Sequence, residues 1–234
     1  MLRVAGVASI HTERDHAYFY PAMSIGAGFK RKRGEAGGCA FSMICANNIN
    51  RSMEAHKVVR DAGLRVNSYG AGRHVRIPHE QKGALTYEFG DAVYEDMYND
   101  LKAENEAFYT RNGLLMMLDR DRGIKPKPQR WQSERTSELA KLDVVVCFET
   151  RIFDAVVEDL QCREPHLLRP IHIICIDIKD DAEHAAEGGQ LALAFCQRCE
   201  EQPDLEHAMA DLVESFTAEH EDKDIKMTYS LHYL

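Results

Sequence analysis

No stretch of about twenty apolar residues occurs in the sequence, and its N-terminus lacks the charged-then-apolar layout of a secretory signal, so neither a membrane nor a secreted protein is expected. An excess of positive charge is missing too. With 29 Lys and Arg against 38 Asp and Glu, the formal net charge is −9. Direct nucleic-acid binding through the overall field is therefore not expected, and an acidic ligand has to be met by a local basic pocket. The seven cysteines (39, 45, 147, 162, 175, 196 and 199) form no disulfide framework: they are odd in number, irregularly spaced and partly inside apolar runs, as in reduced intracellular proteins. No Gly-Lys-Ser/Thr follows a phosphate loop, which disfavours a kinase or P-loop nucleotidase. The His and carboxylate pairs of a metal-dependent phosphatase are not recognisable either, so no metal and no cofactor is expected.

What the sequence does have is a phosphate-handling loop. The apolar run Cys39 to Ile44 reads as a strand that enters Cys45-Ala46-Asn47-Asn48-Ile49-Asn50-Arg51-Ser52 and then a helix from Arg51 to Ala62, stopped by Gly63. Five residues between Cys45 and Arg51 let the backbone curl into a cradle of N–H groups, with the thiol at its base and the guanidinium closing one side. The helix N-terminus favours both an anion and the thiolate, Arg51 can grip two oxygens at once, and Ser52 is placed to donate to the sulfur. A bare Cys-x5-Arg-Ser arises often by chance; a strand before it and a helix after it make the context that the chemistry requires.

The 234 residues suit one α/β domain with an appendage. Residues 1–38 are read as a flexible or lineage-specific extension, with Leu2 to Val7 a rival first strand and Lys30 to Arg33 either a nuclear-import signal or a solvated linker. Residues 39–234 are read as the domain. Strands are expected at Leu64 to Tyr69, Leu142 to Cys147 and Pro170 to Ile178, and helices at Asp91 to Asn112, around Ile152 to Leu160, at Gly189 to Glu200 and at Leu205 to His220. The helix over 91–112 carries Val93, Met97, Leu101 and Phe108 on one stripe, and Tyr109, Met116 and Met117 read as core. His74 to Pro78 reads as a hairpin or flap, or as a plain connection. Ile124 to Pro128 is an exposed crossover because of its prolines. Ile225 to Leu234 either adds an edge strand or packs across the domain. The alternation predicts a doubly wound, mainly parallel sheet, with ligands beyond the carboxyl ends of the strands, where Cys45 lies.

A thiolate that displaces an alkoxide from phosphorus needs an acid to protonate the leaving oxygen. Ile176-Asp177-Ile178-Lys179-Asp180-Asp181, at the end of the last of these strands, offers Asp177 and Asp180, unless it is simply a solvated acidic turn. The stretch from Cys45 to His56, with His74 to Pro78, Met97 to Leu101, Tyr109 to Gly113, Met117 to Arg120, Ile124 to Pro128, Val156 to Leu160 and Asp177 to Asp180, resembles in order and spacing the eukaryotic RNA polymerase II C-terminal-domain phosphatases.

That resemblance, which covers the chain from about Cys39 to its end, implies a low-molecular-weight tyrosine-phosphatase-like fold with a flap. It implies a serine phosphatase that forms a phosphocysteine on Cys45, with Arg51 holding the equatorial oxygens, Ser52 stabilising the departing thiolate, Asp180 as general acid and Asp177 behind it. The loop residues Ala46, Asn47, Asn48, Ile49 and Asn50 would bind the phosphate, and Arg76, Ile77 and Pro78 with Tyr109 and Met117 would form the peptide groove. The substrate implied is phosphoserine before a cis proline, chiefly at the fifth heptad position of the phosphorylated polymerase C-terminal domain. Only about 10–30% of such bonds are cis in an unfolded chain, so a prolyl isomerase is an implied helper. Symplekin and the cleavage and polyadenylation factors are the implied partners, in transcription termination and mRNA 3′-end processing, in the nucleus and also in the cytoplasm. Ala46, Asn47 and Ile49 depart from the residues most expected in the family loop.

Three rival readings remain. A tyrosine phosphatase usually has Asp-Pro at the acid, whereas Asp181 follows Asp180. An arsenate-reductase-type redox enzyme needs a resolving cysteine near Cys45, and the only Cys-x-x-Cys, Cys196 to Cys199, lies in an apolar helical pattern and reads as packing. An inactive scaffold role in the processing complex is opposed by an intact Cys45, Arg51 and Asp180.

Overall fold

Strand β1 (Ala40–Cys45) is buried along its whole length, as a strand covered on both faces must be. In the computed structural model, which describes residues 38–165, 167–221 and 227–234, it is the centre from which the rest is laid out. The expectations for Leu2 to Val7 and for Lys30 to Arg33 lie outside the described residues.

β1 pairs in parallel with β2 (Arg65–Gly70) on one side and β5 (Val144–Cys147) on the other; β5 pairs with β6 (Pro170–Ile176), also in parallel. The tail forms β7 (Met227–Tyr233), antiparallel to β6, which gives the order β2-β1-β5-β6-β7. Of the two readings of the tail, the edge strand is the one observed.

Alternation along β1 divides the core in two. Phe41 and Met43 face α1 (Arg51–Asp61), α6 (Ala182–Glu201) and α7 (Leu205–Glu219), packing with Ala55, Val59, Phe195 and Phe216. Ala40 and Ile44 face α5 (Thr150–Cys162), α4 (Thr136–Leu139) and the turn at Trp131. Burying a side chain such as Phe195 or Ile44 fully is worth about 1.5–3 kcal/mol, so both layers of helices are held on by these contacts.

A third cluster lies beside the loop that follows β1. Hairpin β3 (Val75–His79) and β4 (Gly83–Tyr87) is antiparallel and packs Val75 and Ile77 on α2 (Tyr94–Arg111) and α3 (Leu114–Arg122), together with Ile49 and Met53 from the loop and α1. His74 to Pro78 is thus a flap and not a plain connection.

Several elements differ from expectation. Asn105 leaves helical geometry within α2 (φ −160°, ψ 80°), and its side chain accepts from the Phe108 N–H at 3.0 Å, restarting the helix one residue out of phase. Tyr109 is buried where the stripe placed Phe108, and Val93 precedes the helix. Helix α3 was not anticipated: Gly113 (φ 79°) ends α2 and serves as the N-cap of α3 at once. On α3 Met117 and Leu118 face the core, whereas Met116 is 68% exposed and is no core residue. The crossover at 124–128 is non-helical but not wholly exposed, since Pro128 is buried and the Lys125 ammonium turns inward to the Ser68 carbonyl at 2.5 Å and Gln129 Oε1 at 3.1 Å. Finally, α6 starts at Ala182, well before the expected Gly189, because Gly188 and Gly189 are places of close approach within the helix and not breaks.

Candidate active site

Cys45 is the last residue of β1, and the chain from Ala46 to Asn50 turns back into α1. Asn48 sits in the left-handed region (φ 57°), which Asn tolerates better than most side chains. Its own side chain makes the turn worthwhile: Nδ2 donates to Ser52 Oγ at 3.1 Å and Oδ1 accepts from the Gln129 N–H at 3.0 Å. Its carbonyl accepts from the buried Tyr94 hydroxyl at 2.5 Å. Arg120 steadies the next turn, donating to the Ile49 carbonyl and to Glu54 at 2.7 Å.

Ser52 Oγ lies 3.0 Å from Cys45 Sγ. Because Asn48 already donates to that oxygen, the hydroxyl proton is free to point at the sulfur. The Asn50 side chain makes no cap at the N-terminus of α1, so the first N–H groups of the helix are left for an anion.

Arg51 is buried. One terminal nitrogen donates to the carbonyls of Phe148 and Ile178, both at 2.9 Å; the other binds Glu149 at 2.8 Å and lies 3.3 Å from Asp180. Burial alone opposes its charge, but Cys45, Asp180 and Glu149 more than offset this, and its proton is held more firmly than in a free guanidinium. Its Nε has no partner among the described residues. An orphaned buried donor of this kind costs roughly 1–3 kcal/mol unless a ligand satisfies it.

Asp180 is half-exposed and accepts from Asn50 Nδ2 at 3.0 Å, so the loop and the acid are joined directly. The segment carrying it is anchored by the Ile178 carbonyl on Arg51 and by the Ile178 side chain, which lies in a notch at Gly188 on α6: a Cβ there would stand 2.1 Å from Ile178 Cδ1. Asp177 does something else. Its carboxylate accepts from the Thr150 hydroxyl at 2.6 Å and N–H at 3.3 Å, so it holds the start of α5, next to Glu149, and is not the expected support of Asp180.

Asn47 faces the other way, toward the flap. Its Nδ2 donates to the Arg76 carbonyl at 3.0 Å and its Oδ1 accepts from the Arg76 N–H at 3.1 Å, as a neighbouring strand would. Below this, Ala71 and Gly72 donate to the carbonyls of Cys45 and Ala46 at 2.9 and 3.0 Å, and a Cβ on Gly72 would stand 2.8 Å from the Ala46 oxygen. The cleft so formed has a volume of about 840 Å³.

Of the candidate residues, Ala46, Asn47, Arg51, Arg76, Ile77, Pro78 and Asp180 line this cleft, with Cys45 and Ser52 buried at its base and Asn50 joined to Asp180. Asn48 and Ile49 turn their side chains into the fold and can offer a ligand only backbone. Tyr109 and Met117 are corrected: both are buried in the cluster under the hairpin and neither lines the cleft, since the break at Asn105 rotates Tyr109 inward. Glu149 was missed, although it follows the carboxyl end of β5, where side chains of such a sheet meet a ligand. Cys196 and Cys199 are buried in the core face of α6, and burial pushes both thiols up. They read as packing.

The arrangement brings a thiol, a hydroxyl donor, a buried guanidinium with a spare N–H and a carboxyl group around one anion-sized cradle. Residues 39–234 match the family model described as Ssu72-like protein. The chain belongs to the Ssu72-like family. Within that family it is 40% identical over 176 residues to the zebrafish RNA polymerase II C-terminal domain phosphatase SSU72, covering 75% of this chain and 88% of the relative. Against the fission-yeast phosphatase of the same name it is 39% identical over 195 residues, 82% and 95% of the two chains. A Drosophila melanogaster Ssu72, solved with symplekin and a cis peptidomimetic of a C-terminal-domain peptide phosphorylated on the fifth-position serine, superposes with a TM-score of 0.77 at 34% identity. That match covers 85% of this chain and 100% of the other. Every element that builds the cleft lies within the span matched to the family.

Proposed function

We propose that this chain is a cysteine-dependent protein-serine phosphatase acting on phosphoserine before proline in the C-terminal domain of RNA polymerase II. The observation that carries the reading is the spare buried Nε of Arg51 beside Cys45, in a loop whose thiol already faces Ser52 and whose guanidinium already faces Asp180. The phosphoryl group enters with its oxygens on the loop N–H groups and on Arg51. Cys45 Sγ attacks phosphorus, the bond to the seryl oxygen breaks, and Asp180 gives that oxygen its proton. Water then attacks the phosphocysteine, Asp180 takes the water proton, and the sulfur leaves as a thiolate that Ser52 receives with its hydroxyl.

Residues 39–234 are the catalytic domain in this reading and 1–38 an extension. The polymerase phosphatases that it resembles, and the symplekin and phosphopeptide bound to the Drosophila relative, support the phosphorylated polymerase tail as substrate and symplekin as partner; transcription termination and mRNA 3′-end processing as setting, and the nucleus as place of action, follow from that substrate in this reading. A cis substrate makes turnover depend on proline isomerisation, which a prolyl isomerase accelerates. The test is phosphate release from a phosphoserine-proline heptad peptide with chelator present: the native chain turns over and Cys45→Ser does not. Release that survives Cys45→Ser removes the mechanism.

A further inference from the structure

We propose that the cleft holds a second anion subsite, formed by Arg73, Arg76 and Lys179, that takes a second phosphate on the same substrate peptide. The proposal rests on the phosphatase reading and names its substrate more closely.

The chain as a whole is acidic, with net charge −9, yet five cations and only two carboxylates line this cleft: Arg51, Arg73, Arg76, Arg151 and Lys179 against Glu149 and Asp180. Those two carboxylates are already engaged with Arg51 and Arg151. Arg73, Arg76 and Lys179 are exposed and form no ion pair among the described residues. Glu88, the acidic residue that follows the hairpin, lies 2.9 Å from His74 Nδ1 and does not line the cleft.

Position adds to charge. Arg73 and Arg76 stand on the flap wall and Lys179 on the opposite wall, next to Asp180. Arg76 is held to the cradle, because both its N–H and its carbonyl are bonded to Asn47, two residues from Cys45. With five positive against two negative charges, the lining stays net positive when one phosphate dianion sits at the base, and Arg73, Arg76 and Lys179 have no ion-pair partner among the described residues. A phosphate is the ligand that uses several such donors at once. At these exposed positions the attraction is screened beyond about 8 Å at physiological salt, so the second phosphate has to lie close to these three side chains.

The experiment compares phosphoserine-proline peptides carrying one phosphate with peptides carrying a second phosphoserine three residues before or two residues after it. Turnover of the native chain and equilibrium binding to the Cys45→Ser protein are both read. About a tenfold preference in kcat/KM and in affinity for one doubly phosphorylated peptide is expected. It shrinks between low and high salt, and it moves toward one in Arg73→Gln/Arg76→Gln and in Lys179→Gln proteins of unchanged melting temperature. Equal or weaker binding of both doubly phosphorylated peptides overturns the subsite, as does a preference that survives all three substitutions. If no peptide is turned over but the binding preference is present, the phosphatase reading fails and the subsite stands.

Discussion

Asn47 and Asn48 are neighbours in the chain and face opposite regions of the molecule. Behind the loop, Ser52, Tyr94 and Gln129 are each bonded to Asn48 in the interior, so the shape of the cradle is set by groups that would be costly to leave unpaired. In front, the polar edge of the hairpin meets the loop through Asn47 at the surface, in two bonds that water can replace, while Val75 and Ile77 pack beneath with Ile49 and Met53. The reacting groups are thereby fixed before substrate arrives, while the polar edge that meets the peptide is tied to the loop by exposed bonds.

Breaking the rear should therefore cost chemistry and stability, and breaking the front should cost recognition. The largest effect is expected from Cys45→Ser, which removes the attacking sulfur and should abolish peptide phosphate release to the detection limit. Asp180→Asn should lower kcat by about 10²–10⁴-fold with a smaller change in KM, since the acid acts on the leaving oxygen. Asn48→Ala removes the donor to Ser52 Oγ, leaves the Gln129 N–H without its partner and strains a left-handed residue; about 1–3 kcal/mol should be lost in urea unfolding, with a fall in kcat.

The rear should also be the acid-sensitive side. Burial, with smaller help from Lys125 and Arg60, pulls His56 down to about 4, and burial pulls His172 down to about 4. Both are neutral in the fold while an unfolded chain takes up a proton below about 6.5, so their contribution to stability is full above pH 6.5 and is lost as pH falls toward 4. The urea midpoint should fall between about pH 7 and pH 5, and His56→Gln should flatten that slope. A slope unchanged by the substitution would remove His56 from the account. The smallest effect is expected from Asn47→Ala, which loses two exposed bonds: KM for the peptide should rise roughly three- to tenfold, with kcat and melting temperature nearly unchanged. If kcat fell with KM intact, the contrast between the two sides of the loop would be wrong.

Much of this contrast could be read from sequence because its parts are local. Cys45, Arg51 and Ser52 lie within one turn, and the strand before and the helix after them announce themselves by apolar pattern. The end of a strand offered both Asp177 and Asp180, and the family resemblance singled out Asp180. What was hidden depends on backbone events with weak local signals: the break at Asn105 moved Tyr109 out of the cleft, and Gly113 looked like an end when it is also a beginning. Partners far apart in the chain were equally hidden. Gln129 reaches Asn48 across 81 positions, and Glu149 reaches Arg51 across 98. No periodicity reports such pairs; Asp177, close to Asp180 in sequence, serves Thr150 instead.

Gly188 places a tuning point on the far side of the acid. Its missing side chain is filled by Ile178, two residues before Asp180, so a methyl group added there would press on the segment that presents the proton while touching no substrate. Activity can thus be graded from within a helix of the core, and a change at that notch, which would pass for ordinary packing variation, would surface as an altered pH profile with peptide affinity intact.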